Sequence, residues 1–340
     1  MRNLRLIIPI AFLMIFIFSS CGEEKKKNEM FMSVSGNPGE LILVTTTGQW
    51  NGKIGAAFRE NFEKPVYGMP QQEPLFDLVQ TSLNDFERVF QTFRNVVIVE
   101  LDTNRFGQSK IQYKKDVWAR GQLVIRLIAS SRDEVVDLIN EHADEMTRII
   151  QTKELNRLAA KYKAHSNVKI QKELLKKLGV QASIPKEAVL AVIDTSHAWI
   201  RIERKKVKGG YKHQISQGLL IYKFPYTAKQ QFLDSSLFEI HDVKLNQYIK
   251  GPSEGTYMTT EYRYYPPVTK EVAYEGHFSK EMHGLWRMEG DFMGGPMVTF
   301  FVLNEDEGMI YGVSGYAYAP QFNKREYYRE IEAVAKSLKF

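Results

Sequence analysis

Cysteine is almost absent from this chain: Cys21 is the single one among 340 residues, so no disulfide can close within it. Long apolar runs are missing as well. Residues 6–18 carry no charge and are apolar, but 13 residues fall short of the roughly twenty that span a bilayer core. A multi-span membrane protein is thereby excluded. There is no strong charge of one sign, since 46 Lys+Arg stand against 40 Asp+Glu for a formal +6, and that surplus supports no nucleic-acid reading. H-E-x-x-H, C-x-x-C and acidic calcium loops do not occur, so no metal or cofactor is expected. What is present is an ordinary globular composition, 44% hydrophobic, 25% charged and 12% aromatic, which excludes disorder and collagen-like repeats.

The N-terminus reads as an address. Arg2 and Arg5 form a positive segment, residues 6–18 an apolar one, and Ser19-Ser20 place small residues before Cys21. The pattern is that of a bacterial lipobox, in which Cys21 is lipidated and becomes the new N-terminus. A secretory peptide with an incidental cysteine is the alternative. Residues 1–20 are thus expected to be a lipoprotein signal peptide and residues 21–35 a polar tether, spanning on the order of 20 Å as a coil. Several acyl chains anchor stably where one is marginal. The membrane is therefore an expected partner through that anchor, with the protein on the outer membrane, facing either the periplasm or the cell surface.

The expected fold is α+β. An N-terminal α/β sandwich with a long helix occupies residues 36–163. A C-terminal α+β domain occupies 164–340, with an antiparallel β-meander closed by a helix. Apolar β-rich runs predict strands at 40–47, 75–82, 96–101 and 122–128, with helices at 49–62 and from Asn84 to Phe93. Residues 103–112 read as a loop. Val135, Leu138, Ile139, Met146, Ile150 and Leu158 make the stripe of a helix over 131–163, and a second one ends at Gly179. This helical block joins the two parts, with a break near 163–167. Residues 197–205 and 213–224 predict a hairpin around Gly209-Gly210, and 232–248 and 323–338 predict helices. The strand–turn–helix order near residue 40 and near residue 219 raises a duplication.

Several motifs approach known chemistry without meeting it. Gly251-Pro252-Ser253-Glu254-Gly255 matches G-x-S-x-G, but a nucleophile elbow needs a strand before the serine and a helix after it, and here the order is reversed. Gly48, Gly52, Lys53 and Gly55 lie at a strand-to-helix junction, yet miss the phosphate-loop spacing and its Ser/Thr. His277, Glu281 and His283 fall on alternate positions, which one straight strand would place on one face as zinc ligands. A turn at residues 279–282 would part them, and solvated strand residues are the expectation. The basic cluster from Arg201 to Lys212 reads as a solvated hairpin tip, with contact to lipid phosphates or an acidic partner as the alternative.

Residues 116–127 (DVWARGQLVIRL), 153–157 (KELNR), 250–258 (KGPSEGTYM) and 284–296 (GLWRMEGDFMGGP), with the lipobox, resemble an uncharacterised Bacteroidota envelope lipoprotein family known as a domain of unknown function. The resemblance covers the whole mature chain and implies no catalytic residues. The leading expectation is therefore a non-enzymatic lipoprotein that binds an envelope protein or component. The alternative is an envelope hydrolase acting on glycan, peptide or lipid. Trp and Arg are enriched where partners dock. Trp118, Arg120, Ser253, Glu254, Trp286 and Arg287 are accordingly the candidate partner surface, expected to border one concavity near the junction of the two parts.

Overall fold

The computed structural model describes residues 32–104 and 108–340. Cys21, the signal peptide and residues 21–31 of the expected tether lie outside the described residues. The end of that tether is tied down: Ser33 bridges to Arg120, and Ser35 N–H donates to the Thr92 carbonyl at 2.9 Å.

The fold is α+β, built on two sheets. The first takes β1 (Glu40–Val44), β2 (Asp77–Thr81), β3 (Asn95–Leu101), β4 (Lys110–Lys115) and β5 (Leu123–Ala129) in the order β2-β1-β3-β5-β4. All its neighbours are parallel except β4, an antiparallel edge strand in the region expected to be loop. Continuous apolar strands such as ELILV suit a sheet covered on both faces. One face packs on Phe58, Phe62, Ile139 and Ile150 from two helices. The other packs on Phe86, Phe90, Val117 and Trp118. The helix expected over 49–62 is divided at Asn51-Gly52 into α1 (Thr47–Trp50) and α2 (Lys53–Phe62). Asn84 caps nothing: only a single turn, α3 (Arg88–Gln91), forms there, with Glu87 at its N-cap.

The second sheet is antiparallel throughout. It comprises β6 (Val189–Ile193), β7 (His197–Lys208), β8 (Tyr211–Pro225), β9 (Tyr257–Glu261), β10 (Val268–Tyr274), β11 (His277–Glu289), β12 (Gly294–Asn304) and β13 (Met309–Tyr318). Their order is β10-β11-β12-β13-β8-β7-β6, with β9 also paired to β11. The two sheets therefore differ in direction and strand count. One face buries Leu237 and Leu245 of α6 (Asp234–Tyr248) against Trp286 and Phe301. The opposite face buries Leu174 of α5 (Val168–Leu178) and Ile331 of α7 (Arg325–Ala335) against Phe300. Gly179 ends α5 at φ 77°, the left-handed conformation that glycine adopts without strain. No helix among the described residues is long and apolar enough to cross a membrane.

A single helix, α4 (Arg132–Ala164), serves both cores. Its 33 residues extend about 50 Å at 1.5 Å per residue. Val135 to Ile150 pack on the first sheet, while Leu158 and Tyr162 pack with the second. Between these stretches Glu154 is fully buried, with Oε2 accepting from Arg94 at 2.9 Å and Oε1 from Asn95 Nδ2 at 2.6 Å. Arg157 joins the same carboxylate and also donates to the Gly121 and Arg94 carbonyls. A buried charge of this kind is tolerated because each oxygen is matched by a donor.

A second buried carboxylate holds α7. Glu73 is 2% exposed, and its oxygens accept the backbone N–H groups of Lys324 and Arg325 at 2.7 and 2.8 Å. It thereby caps a helix about 250 residues further along, whose own N-cap residue makes no side-chain cap bond. Arg325 returns the contact by donating to the Pro74 carbonyl at 2.6 Å and pairing with Asp77 at 2.6 Å. Glu73→Ala leaves two buried donors unmatched and removes a negative charge from a helix N-terminus. It should lower the unfolding free energy by about 2–4 kcal/mol in urea titrations, with Glu73→Gln losing less. A loss below about 0.5 kcal/mol would mean the cap contributes little.

Candidate functional site: a basic cavity between the two sheets

The Glu73 contact brings α4, α7 and the edge of the second sheet around a cavity of about 410 Å³. Arg148, Gln151, Thr152 and Leu155 line it from α4. Their spacing of three, one and three residues places them on one helical face. Opposite stand Lys270 of β10, Glu281 and His283 of β11, Tyr328 and Arg329 of α7, and Lys336 at the C-cap of α7. Val66, Tyr67 and Val268 supply the apolar part. Such a volume lies in the range of small-ligand sites.

The acidic groups of the cavity are already matched. Glu281 is 3% exposed and its Oε1 accepts from His283 Nε2 at 2.5 Å, with Lys270 at 3.4 Å and Lys336 at 3.8 Å. Burial alone would raise its carboxyl. The hydrogen bond from His283 and the charges of Lys336, His283 and Lys270 override that and hold it down at about 2. The other ring nitrogen of His283 lies 2.5 Å from the Tyr328 hydroxyl. Burial, with the Glu332 and Glu281 charges, pushes that phenol well above its usual value. Glu332 holds Lys336 at 2.8 Å, and Glu326 holds Arg329 at 2.5 Å. The basic side is less fully matched. Arg148 is exposed and forms no ion pair among the described residues, and the Lys270 side chain is 60% exposed.

These residues were visible in the sequence only in part. β11 runs unbroken through residues 279–282, so Glu281 and His283 do share a face, and the turn lies instead at Glu275-Gly276. Glu281 is buried rather than solvated. His277 packs on Phe340, with ring centroids 5.1 Å apart. No group of three His, Cys, Asp or Glu among the described residues is placed to hold a metal.

The six residues expected to form a partner surface fall in separate places. Trp118 packs edge-on against Phe86, centroids 5.3 Å apart, in the core on one face of the first sheet. Arg120 is exposed beside it and receives its backbone contact from Met32, whose carbonyl accepts its N–H at 2.9 Å. Trp286 is 2% exposed, and its indole N–H donates to the Ala317 carbonyl at 3.2 Å. Gly295 is required beneath it, because a Cβ there would lie 2.0 Å from that same carbonyl oxygen. Arg287 points to the other side of β11 and pairs with Glu289 at 2.6 Å and Glu261 at 3.5 Å. Ser253 and Glu254 lie in the turn between α6 and β9, where the Thr256 hydroxyl donates to the Ser253 carbonyl at 2.6 Å. That turn lines its own shallow cavity of Lys250 to Thr256, which reaches none of the other four. None of the six lines the cavity between the sheets.

The Glu281 shift fixes a pH dependence. Its folded-state value, about 2, lies below the ordinary 4.5, so the stabilisation is complete above about 4.5 and is lost as pH falls toward 2. The difference corresponds to roughly 3 kcal/mol at most. Urea unfolding across that window should show stability falling with pH in the native chain and a flatter profile in Glu281→Gln. An identical slope in both would show that Glu281 does not carry the effect.

Comparison with known families places both halves of this arrangement. Residues 34–163 match a family described as a domain of unknown function, DUF8532, and residues 167–337 match another, DUF4837. No curated protein matches the chain. Among solved structures, a mutant of protein Mog1 is 8% identical, aligning over 47% of this chain and 89% of its own with a TM-score of 0.29, too low to carry an argument. The DUF4837 match takes in half of the chain and includes the seven basic and acidic side chains that β10, β11 and α7 with its C-cap bring to the cavity, and on that match the chain belongs to the DUF4837 family.

Proposed function

We propose that this chain is an envelope lipoprotein, held on the outer membrane through lipidated Cys21 and facing the periplasm or the cell surface, whose folded body binds a partner or envelope component. The anchoring half of this reading rests on Arg2, Arg5, the apolar residues 6–18 and the small residues before Cys21.

The binding half rests on one observation: the cavity between the sheets has matched acids, while Arg148 has no ion-pair partner among the described residues and Lys270 reaches Glu281 only at 3.4 Å. A general base works best with a pKa near the operating pH, and Glu281 lies far below it. Both nitrogens of His283 are engaged, and the Tyr328 hydroxyl is buried and harder to ionise than a free phenol. These are features of a fixed ion-pair network more than of a nucleophile with its base. The hydrolase reading gains no support from Ser253 either, since α6 precedes it and β9 follows.

Cys21→Ala tests the anchor. Expressed in a bacterial host and fed a palmitate analogue, the native chain should take up label and sediment with membranes. The variant should lose both properties. Retained label in the variant overturns the lipoprotein reading.

A further inference from the structure

We infer that the cavity between the sheets is a binding site for a phosphoryl group carried by a small polar molecule; this deepens the binding reading above and rests on it. The carboxylates lining the cavity, Glu281 and Glu332, are taken by His283 and Lys336. Arg325 and Arg329 are held from outside the lining by Asp77 and Glu326. What remains without a close acceptor comes from both walls. Arg148, Gln151 and Thr152 on α4 make no side-chain hydrogen bond among the described residues, and Lys270 on β10 reaches Glu281 only at 3.4 Å.

A site with unused donors and consumed acceptors selects a ligand rich in acceptors. Two cationic groups make that ligand an anion, since hydrogen bonds between charged partners are about twice as strong as neutral ones. An amide and a hydroxyl beside them add neutral donors. A phosphate ester presents three free oxygens to this set, one more than a carboxylate, and uses more of the available donors. Arg148 contributes a planar fork that suits oxyanions, and Lys270 a compact charge. Leu155, Val66 and Val268 leave room at about 410 Å³ for the molecule that carries the phosphoryl group, and Tyr67 stands among them. The phosphate loop considered at Gly48–Gly55 offers no comparable arrangement, because Gly55 sits against the Trp50 carbonyl, where a Cβ would approach to 1.7 Å.

Calorimetry on the detergent-solubilised full chain tests the assignment, with glucose 1-phosphate, glucuronate and glucose as probes. Saturable heat is expected with glucose 1-phosphate, weaker heat with glucuronate and none with glucose. Arg148→Glu and Lys270→Glu should each weaken glucose 1-phosphate binding by roughly tenfold or more, at a cost of the size of one charged hydrogen bond. Arg148→Lys should recover part of it. Arg148 is exposed and forms no ion pair among the described residues, so thermal unfolding of Arg148→Glu should match the native chain. Lys270→Glu places a second carboxylate beside Glu281 and should unfold somewhat earlier, so Arg148→Glu carries the test. Lys229→Glu, outside the cavity, should bind as the native chain does. Competition by inorganic phosphate supports a soluble source of the group, and competition by phosphatidylglycerol vesicles but not phosphatidylcholine vesicles supports a lipid source. Glucuronate binding as tightly as glucose 1-phosphate overturns the phosphoryl assignment, as does unchanged binding in both Glu variants. Release of inorganic phosphate with turnover would instead sink the non-enzymatic reading while leaving the site in place.

Discussion

Glu73 is the contact on which the arrangement of the two sheets depends. A carboxylate 2% exposed has no water to solvate it, so it persists only where donors replace water on both oxygens. The first two backbone N–H groups at the α7 terminus do so, and the positive end of the helix dipole favours the charge. Because α7 and its C-cap supply Tyr328, Arg329 and Lys336 to the cavity wall, the position of that wall is set by a loop residue of the N-terminal half. The Arg325–Asp77 pair and the Pro74 carbonyl then fix the loop to the helix from the other direction.

The second constraint is the length of α4. A helix that ended near residue 150 would cover the first sheet and leave Leu158 and Tyr162 missing from the core of the second. Glu154 lies where the helix passes from one core to the other. There Arg94, Asn95 and Arg157 give it donors from the N-terminal ends of β3 and from α4 itself. The segments that carried the family resemblance meet at such places. Residues 153–157 touch residues 116–127 through the Arg157–Gly121 contact, and residues 250–258 pair with residues 284–296 through the β9–β11 ladder.

That explains what was legible in the sequence and what was not. Helices α4 and α5 were plain because their buried stripes are long and Gly179 ends α5 in a left-handed conformation. The strands β3 and β5 were plain because they are buried on both faces. The edge strands β4 and β6 were missed: β4 offers only Ile111 and Tyr113 on alternate positions among lysines, and β6 is a five-residue apolar run whose residues are exposed or half-buried at the sheet edge. Asn84 had the right chemistry for a cap, but Phe86 turns into the core there and the helix shrinks to one turn. On β11, the Glu275-Gly276 turn carried the signal that separates β10 from β11, with Glu275 at φ 50° and Gly276 at φ 89°.

The same reasoning separates conspicuous residues from those of the cavity. Trp118, Trp286 and Gly295 stand out in a sequence because they are rare or large or small, and rarity reflects packing constraints: an indole needs a shaped hole, and Gly295 leaves space for the Ala317 carbonyl. The cavity is made of Arg148, Lys270, Glu281, His283 and Lys336, ordinary surface residue types spread over nearly 200 positions of the chain. No spacing rule connects them, because they converge from four elements only after Glu73 has placed α7 and Glu154 has pinned α4. Their electrostatic character is likewise a product of the fold. Glu281 stays ionised in a buried position because two lysines from different elements and a histidine two residues along its own strand surround it, and it leaves Arg148 facing the same space without a counter-ion among the described residues. A site of this kind is decided by tertiary placement and cannot be read from any one segment.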